Sequence, residues 1–438
     1  MAEAVSRERT RNYLRQIKGA VVYRAAAMGA SFLAIPLMIG FLGQEQFGVW
    51  STLLMVMSWL VFFDLGVGNG LRNKVAESLA KGESGEARRY IATGYTLIGL
   101  IALLLWAAVT VGSYFVPWQA VFNTQAITES TLRETIQIAA FFIVLNFWAG
   151  LITALLGAIQ KTSAVALGQL VSNLLILVFV FALAKTTDAS ISHLALVYGL
   201  SLFAANILLS LWFYQNHPEL RPRPYLDERH VRPLLAVGLQ FFTIQLAVLV
   251  IFTTDKMLIT QIFGPIYVTQ YEVVFKLFSI ITFAHGLVSA PLWSAYTDAY
   301  QRGDLAWIEG MLRKQMMIFG GSILLVIVLC LSARPIIAVW IGSELIVSLP
   351  LILVMGVFVL ISIWNNIFAM LVNGIGKIRL QLYTAVVAML INIPLSLFLA
   401  TYLGLGLHGI VLGTICSLLL AAVVLPIQVY LLIKAGMK

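Results

Sequence analysis

The feature that most constrains this chain is a series of apolar runs, each about 20 residues long. A hydrocarbon core about 30 Å thick needs about 20 apolar residues in each helix that crosses it. Of the 438 residues, 61% are hydrophobic and 11% are charged, whereas a soluble domain has about 45–50% apolar and about 25% charged residues. The runs lack the period-2 alternation of a membrane β-barrel. The sequence therefore predicts an all-α, polytopic membrane protein.

We place about 12 transmembrane helices in the chain, with ends uncertain by a few residues. The predicted spans are residues 20–41, 46–66, 90–116, 134–157, 162–184, 193–214, 234–261, 268–292, 314–341, 347–373, 379–402 and 406–433. The loops between them are short, so we expect the protein to act within the membrane. This disfavours most enzyme functions, because a membrane enzyme that acts on sugars usually needs a sizeable loop or domain beside its helices.

The basic residues are distributed very unevenly among the loops. Of the 28 Lys and Arg residues, 22 lie in the two tails and in alternate loops, whereas the opposite loops hold only Arg133, Lys185 and Arg334. Basic residues concentrate on the cytoplasmic side of membrane proteins, so we expect both termini in the cytoplasm. The formal net charge of +9 is then explained by loops that face anionic headgroups, and we expect no nucleic-acid partner.

The two halves of the chain resemble each other when one is shifted onto the other. Gly43 then aligns with Gly264, and Lys81-Gly82-Glu83 aligns with Arg302-Gly303-Asp304. Later in the halves, the segment before Lys161 aligns with the segment before Lys377. Polar positions match with almost no gap, which favours a true internal repeat over shared membrane composition.

The repeat predicts two lobes of six helices each, residues 1–220 and residues 221–438. Because six is an even number, both lobes cross the membrane in the same orientation, which makes this a parallel repeat. Internal repeats of this kind are typical of secondary transporters that move one half against the other.

A short block after the second span carries a resemblance to a known family. Residues 62–74 read F-F-D-L-G-V-G-N-G-L-R-N-K, and A-K-G-E follows at residues 80–83. With Phe41-Leu42-Gly43 at the end of the first span, this block resembles the polysaccharide-biosynthesis or O-antigen lipid flippases. That family belongs to the multidrug/oligosaccharidyl-lipid/polysaccharide (MOP) exporter superfamily, and the similarity covers nearly the whole chain.

The resemblance implies a MATE-like, V-shaped pair of six-helix lobes in the bacterial inner membrane. It implies that the protein is not an enzyme but a flippase, which moves an undecaprenyl-pyrophosphate-linked oligosaccharide to the periplasmic leaflet by alternating access. The product would serve surface or exopolysaccharide synthesis. Expected partners are this lipid, other membrane lipids, and a polysaccharide polymerase with chain-length proteins. The branch that handles peptidoglycan precursors typically has two additional spans, which disfavours a cell-wall precursor here.

A flippase of this kind needs cations for phosphate and polar groups for sugar, because burying these groups unpaired costs several kcal/mol. Our candidates for headgroup binding are Arg24, Lys276, Arg72 and Asn69. A guanidinium binds phosphate oxygens through two parallel hydrogen bonds. Each candidate also has a structural alternative: snorkelling for Arg24, interfacial anchoring for Arg72 and Asn69, and an intrahelical ion pair with Glu272 for Lys276.

The candidates for ion coupling or gating are Asp64, Asp255, Glu272 and His285. Charged residues at membrane depth are rare and usually functional or paired, and His titrates nearest neutral pH. The structural alternatives are an interfacial turn for Asp64, packing for His285, and an outer-interface position for Asp255 and Glu272. We find no phosphate-binding loop and no metal or catalytic motif, so we expect no cofactor and no catalytic residue. Energy would come from an H⁺ or Na⁺ gradient, or from consumption of the product.

Three other functions remain open from the sequence. An ion-coupled multidrug or metabolite antiporter of the same superfamily would place acidic rather than cationic groups in its cleft. A membrane polymerase or ligase would need a large loop, and a non-transporting scaffold would bind no lipid-linked sugar. The sign of the charge in the cleft distinguishes the flippase from the antiporter.

Overall fold

The computed structural model describes residues 2–436, apart from 61, 62, 64, 65, 224, 226 and 290. Within the helices, the side chains of residues 2–17, 236–250, 252, 294, 435 and 436 also lie outside the description. The candidate Asp64 therefore lies outside the described residues. The chain forms two compact units, residues 1–245 and residues 246–438, and each is described by itself below.

The described residues are helical, with no β-strand among them. We number the α-helices in chain order: α1 (Ala2–Leu60), α2 (Val67–Ala80), α3 (Ser84–Gly112), α4 (Trp118–Val121), α5 (Glu129–Ala149), α6 (Leu151–Ala158), α7 (Thr162–Thr186), α8 (Ile191–Asn216), α9 (Glu228–Phe263), α10 (Pro265–Ser289), α11 (Leu292–Gln301), α12 (Leu305–Trp340), α13 (Leu349–Gly374), α14 (Arg379–Leu397) and α15 (Leu407–Gly436). A 3₁₀ turn at Pro218–Leu220 follows α8, and a π-helical turn at Phe398–Tyr402 follows α14.

Ten segments among the described residues are long and apolar enough to span a membrane. One of them, Lys18–Leu60, has 43 residues, which is about 65 Å of helix and twice the bilayer core. Its backbone is non-helical at Gly43, with φ 77° and ψ 168°, so this segment is two spans. With α9, whose side chains are only partly described, the described helices give six spans before residue 220 and six after it. The predicted all-α architecture of two six-helix halves is confirmed.

Several element boundaries differ from the prediction. Helix α1 begins at Ala2, well before the apolar run, because the tail is rich in Ala, Arg and Glu, which favour helix. Arg24 therefore lies several turns inside α1 rather than in its first turns. Two short helices, α2 and α11, were not predicted, because their polar faces interrupt the apolar pattern that marks a span.

The structure has matching turns after α2 and α11, at positions that the predicted repeat aligns. The residue after α2, Lys81, and the residue after α11, Arg302, both have φ −83° and ψ −5°. The glycines that follow them, Gly82 and Gly303, have φ 78° and φ 72°. The cations also pair alike, Lys81 with Glu77 at 2.7 Å and Arg302 with Asp298 at 3.0 Å.

Two further pairs of aligned positions agree in backbone conformation. Gly43 and Gly264 have φ 77° and φ 95°, and Gln160 and Gly376 have φ 59° and φ 73°. All four lie in the left-handed region that favours glycine. The predicted lobe boundary at 220/221 stays a prediction, since the compact units divide inside α9. They do so because the beginning of α9 packs onto α2 and α3.

In the first unit, α1 packs along α7, α5 packs on α8, and α2 packs on α3 and α6. The buried face of α2, Val67, Leu71 and Val75, joins a core cluster that includes Leu234 from the beginning of α9. Gly70 lies against the Leu234 carbonyl group, where a Cβ would overlap it. These contacts fix the rotation of α2 and so decide which side chains it presents on its other face.

In the second unit, α15 packs closely on α14 through a G-x-x-x-G face made by Gly409 and Gly413. Gly409 faces Ala400, and Gly413 faces Ser396, whose hydroxyl group donates to the Ile410 carbonyl at 3.2 Å. Small residues let helix backbones approach closely in membranes. This close approach brings polar side chains of α14 and α15 together inside the unit.

Replacing Gly413 with alanine should destabilise the protein by about 1–3 kcal/mol, because its Cβ would overlap the backbone of Ser396. The matched control is Gly320→Ala in α12, where no atom lies within 4 Å of the added Cβ and the change should stay within about 1 kcal/mol. Thermal unfolding in detergent measures both. Equal melting temperatures for the two variants would contradict the close α14–α15 packing.

Candidate functional site

The first unit contains a cavity of about 570 Å³ among helices α1, α2, α5, α6, α7 and α8. Its polar and aromatic lining comprises Arg24, Asn69, Arg72, Asn146, Phe147, Thr153 and Thr162. We call it the cationic cavity. It brings together three of the four predicted headgroup residues, Arg24, Asn69 and Arg72.

Helix α2 supplies two of these side chains. Gly66, with φ 74°, precedes the helix, and the buried residues Val67, Leu71 and Val75 hold one face in the core. Asn69 and Arg72 are three residues apart, so they share a face of the helix. Arg24 reaches the same cavity from α1.

The two arginines differ from the other basic residues near them. Lys74 and Lys81 both pair with Glu77, at 2.8 Å and 2.7 Å, and the hydrogen bonds from these two lysines lower the pKa of Glu77 to about 2. In contrast, no described acidic side chain lies within 4.0 Å of the guanidinium of Arg24 or Arg72. No Asp or Glu is found among the described residues that line the cavity. The cavity is therefore electropositive.

Two glycines shape the wall that α6 forms. Gly150 separates α5 from α6 and lies in the lining of the cavity. A Cβ on Gly157 would lie 3.1 Å from both Cδ and Nε of Arg72. The absence of a side chain at Gly157 thus makes room for the Arg72 side chain.

Sequence reasoning did not single out Asn146, Phe147, Thr153 or Thr162. Asn146 also clamps two helices, because its Nδ2 donates to the carbonyls of Phe142 at 2.8 Å and Gly199 at 3.2 Å. The sequence feature that could have indicated the polar residues of this cavity is an Asn or Thr inside an apolar span. That signal does not distinguish a cavity wall from a helix–helix contact.

The second unit contains a buried polar group around the predicted candidate Asp255. Asp255 is 2% exposed; its Oδ1 accepts from Thr414 Oγ1 at 2.9 Å, and its Oδ2 accepts from the Tyr271 hydroxyl at 3.4 Å. Asn392 Nδ2 donates to Thr414 Oγ1 at 3.1 Å and to Ser417 Oγ at 3.3 Å. We call these five residues the Asp255 cluster. Asp255 is therefore in the interior of the unit and not at an outer interface.

The Asp255 cluster has oxygen atoms but no matching positive charge. Within the described part of the chain, no Lys, Arg or His lies within 4.0 Å of the Asp255 carboxylate. An ionised carboxylate buried without a partner is very unfavourable, so the site suits a proton or a small cation. Carboxylate, hydroxyl and carboxamide oxygens are the ligands that hard cations prefer.

The other candidates, Glu272, Lys276 and His285, lie on α10 in the second unit. Glu272 Oε2 lies 2.6 Å from Lys256 Nζ on α9, a contact that the sequence did not predict. The predicted intrahelical pair of Glu272 with Lys276 stays a prediction. Lys276 is half-buried and does not line the cationic cavity, and His285 is 4% exposed. Their functional roles stay predictions.

The fold matches that of solved multi-pass membrane transporters. A solved multidrug resistance MATE family transporter of the MOP superfamily, in an inward-facing conformation, superposes with a TM-score of 0.81 at 14% identity, covering 95% of this chain and 99% of that one. An outward-facing MATE transporter gives 0.63 at 15% identity, over 97% and 96% of the two chains. A MOP superfamily transporter from Pyrococcus furiosus, whose binding pocket is described as having reverse polarity, gives 0.60 at 16% identity, over 96% and 99%.

Sequence comparison identifies the family within this fold. The family described as polysaccharide biosynthesis protein matches residues 19–290, and the chain belongs to that family. Among curated relatives, a putative O-antigen transporter of Salmonella typhimurium is 22% identical over 403 residues, 89% of each chain. A putative O-antigen export protein of Yersinia pseudotuberculosis is 19% identical over 410 residues, 91% of each chain.

Replacing Gly157 with leucine should weaken anion binding in the cationic cavity about tenfold, because the new side chain displaces Arg72 and one charge-assisted hydrogen bond is worth about 1.5 kcal/mol. Inorganic pyrophosphate titrated into the purified protein in a calorimeter measures this. The control is Gly29→Leu in α1, where no atom lies within 4 Å of an added Cβ. Unchanged affinity in Gly157→Leu would argue against Arg72 as a ligand.

Proposed function

We propose that this protein is a flippase that carries an undecaprenyl-pyrophosphate-linked oligosaccharide from the cytoplasmic to the periplasmic leaflet of the bacterial inner membrane. The observation that carries the proposal is the cationic cavity, in which Arg24 and Arg72 have no acidic partner among the described residues. In this proposal the pyrophosphate is their counter-ion. Both termini lie in the cytoplasm, on the side of the basic loops.

The chemistry of the cavity suits the headgroup. A pyrophosphate diester is a compact anion, and a guanidinium can bind its oxygens in a bidentate manner. Hydrogen bonds to charged groups contribute about 1.5–3 kcal/mol each, which offsets part of the cost of moving the headgroup out of water. Two arginines from different helices, α1 and α2, can therefore hold the pyrophosphate from two directions.

The remaining lining suits sugars. Asn69, Thr153 and Thr162 offer hydrogen-bonding groups, and the Phe147 ring offers an apolar face. A volume of about 570 Å³ lies within the usual range of about 300–1,000 Å³ for ligand sites. The cavity can take the polar end of the substrate while the polyprenyl tail stays in the surrounding lipid.

The comparisons support the substrate class and the mode of transport. Two curated relatives carry names that refer to O-antigen transport or export. MATE transporters of this fold have been solved in inward-facing and outward-facing conformations, which supports alternating access for this chain. A polysaccharide polymerase and chain-length proteins would then use the product in the periplasm.

The charge of the cavity argues against a multidrug antiporter. A cationic drug would need acidic groups on the walls, and the described lining holds two arginines and no carboxylate. A membrane polymerase or ligase would need a large loop, whereas the connection from Gly112 to Glu129 holds only the four-residue helix α4.

We also propose that the Asp255 cluster couples transport to an H⁺ or Na⁺ gradient. The buried carboxylate of Asp255 accepts hydrogen bonds from Thr414 and Tyr271 but lacks a cationic partner among the described residues. Binding and release of a proton or Na⁺ would change the charge inside the unit. Such a change can bias an equilibrium between two conformations.

The variants Arg24→Gln and Arg72→Gln should abolish surface polysaccharide in a deletion strain that expresses them, because each removes half of the positive charge of the cavity. Arg88→Gln, which changes an exposed arginine on α3 that has no ion pair with any described residue, is the matched control and should retain wild-type levels. Membrane abundance is checked by immunoblot. Wild-type polysaccharide in both cavity variants would remove these residues from substrate binding and would count against the flippase.

The variant Asp255→Asn should remove the dependence of transport on an ion gradient. In proteoliposomes with labelled lipid-linked oligosaccharide, an imposed H⁺ or Na⁺ gradient should stimulate flipping by the wild type but not by Asp255→Asn. Asp188→Asn, which changes an exposed residue between α7 and α8, should behave like the wild type. If Asp255→Asn still responds to the gradient, coupling lies elsewhere.

A further inference from the structure

We propose that the first unit binds one acidic phospholipid in a crevice separate from the cationic cavity. The crevice has a volume of about 440 Å³ and lies among α3, α5, α8 and the segment that connects α8 to α9. The residues that matter for the proposal are Tyr95, Gly99, Trp148, Ser210, Tyr214 and Arg223. None of them lines the cationic cavity.

One end of the crevice is polar and basic. Arg223 is exposed at the mouth, and no described carboxylate lies within 4.0 Å of its guanidinium. Pockets of this kind, basic and set between transmembrane helices on the cytoplasmic side, bind anionic lipid headgroups. Charge complementarity therefore favours an acidic phospholipid over a neutral one.

Two buried hydroxyl groups in the crevice point to a ligand independently of that charge. Tyr95 is 9% exposed, and the hydroxyl groups of Tyr95, Tyr214 and Ser210 lie beside one another, but neither tyrosine oxygen makes a well-aligned hydrogen bond among the described residues. A buried hydroxyl group left without a partner costs about 1–3 kcal/mol. The ester and phosphate oxygens of a phospholipid are acceptors that would satisfy both hydroxyl groups.

The other end of the crevice is apolar and open to lipid. The Trp148 ring is 37% exposed and meets the Tyr95 ring edge-on, with centroids 5.4 Å apart. Gly99 has no side chain, so it leaves the adjacent part of the Trp148 indole uncovered. A Cβ at this position would lie 3.4 Å from Trp148 Cδ1. Leu100, also in the lining, is 48% exposed. This surface suits an acyl chain that descends from a headgroup at Arg223.

A lipid headgroup bound at Arg223 would also restrain the chain segment to which Arg223 belongs. Arg223 belongs to the segment that connects α8 to the beginning of α9 within the first unit. Its neighbour Arg221 already donates from Nε to the Tyr214 carbonyl at 3.2 Å. A headgroup bound to Arg223 and Tyr214 would fasten this segment further onto α8.

Native mass spectrometry of the purified full-length protein in detergent tests the proposal. The protein is titrated with dioleoylphosphatidylglycerol or with dioleoylphosphatidylcholine, and bound lipids are counted. We expect the wild type to retain one phosphatidylglycerol in preference to phosphatidylcholine. Arg223→Gln should lower that retention about fivefold, the effect of one basic residue near a lipid surface, and Tyr214→Phe should lower it while keeping the ring.

The matched control is Arg229→Gln, which removes the same charge from an exposed residue on the same side that does not line the crevice. It should retain the lipid like the wild type. Equal loss in Arg223→Gln and Arg229→Gln, or equal retention of the two lipids by the wild type, would overturn the proposal. The assay measures binding without transport, so its outcome is independent of the flippase proposal.

Discussion

The constraint on which the structure depends is the high free energy of an uncompensated charge in an apolar surrounding. Most charged residues avoid the problem by lying in tails and loops, where water and lipid headgroups solvate them. Lys256 and Glu272 solve it by pairing across α9 and α10 at 2.6 Å. An arginine or a carboxylate that lacks such a partner in an apolar surrounding therefore indicates a binding site for a ligand of opposite charge.

Two such sites lie among the described helices, and a third cation, Arg223, is exposed in the connection between α8 and α9 beside an apolar crevice. The cationic cavity presents Arg24 and Arg72 from α1 and α2. The Asp255 cluster buries a carboxylate among hydroxyl and carboxamide groups of the second unit. The crevice at Arg223 presents one cation at the edge of an apolar surface. The first suits a phosphate headgroup, the second a proton or small cation, and the third an acidic phospholipid.

The two repeated halves share backbone geometry but not chemistry. Helices α2 and α11 end in the same turn, with nearly identical angles at Lys81 and Arg302. Yet α2 carries Arg72, whereas the aligned position in α11 is Trp293, which is 48% exposed. Glycines fix the shared turns because only they adopt a positive φ without strain, while the outward-facing side chains were free to diverge. The proposed anion binding thus uses side chains of the first unit that the aligned positions of the second unit do not repeat.

The sequence by itself determined the helical class, the number of spans and the local repeat, because these depend on the length of apolar runs and on the spacing of glycines along the chain. It also identified Arg24, Asn69, Arg72 and Asp255 as unusual residues for their positions. Only the tertiary structure decided which of them meet, because that depends on helix rotation and on packing between distant segments. Leu71 and Gly70 turn Arg72 toward the cavity, and Lys256 on α9 reaches Glu272 on α10, a contact that sequence spacing did not indicate.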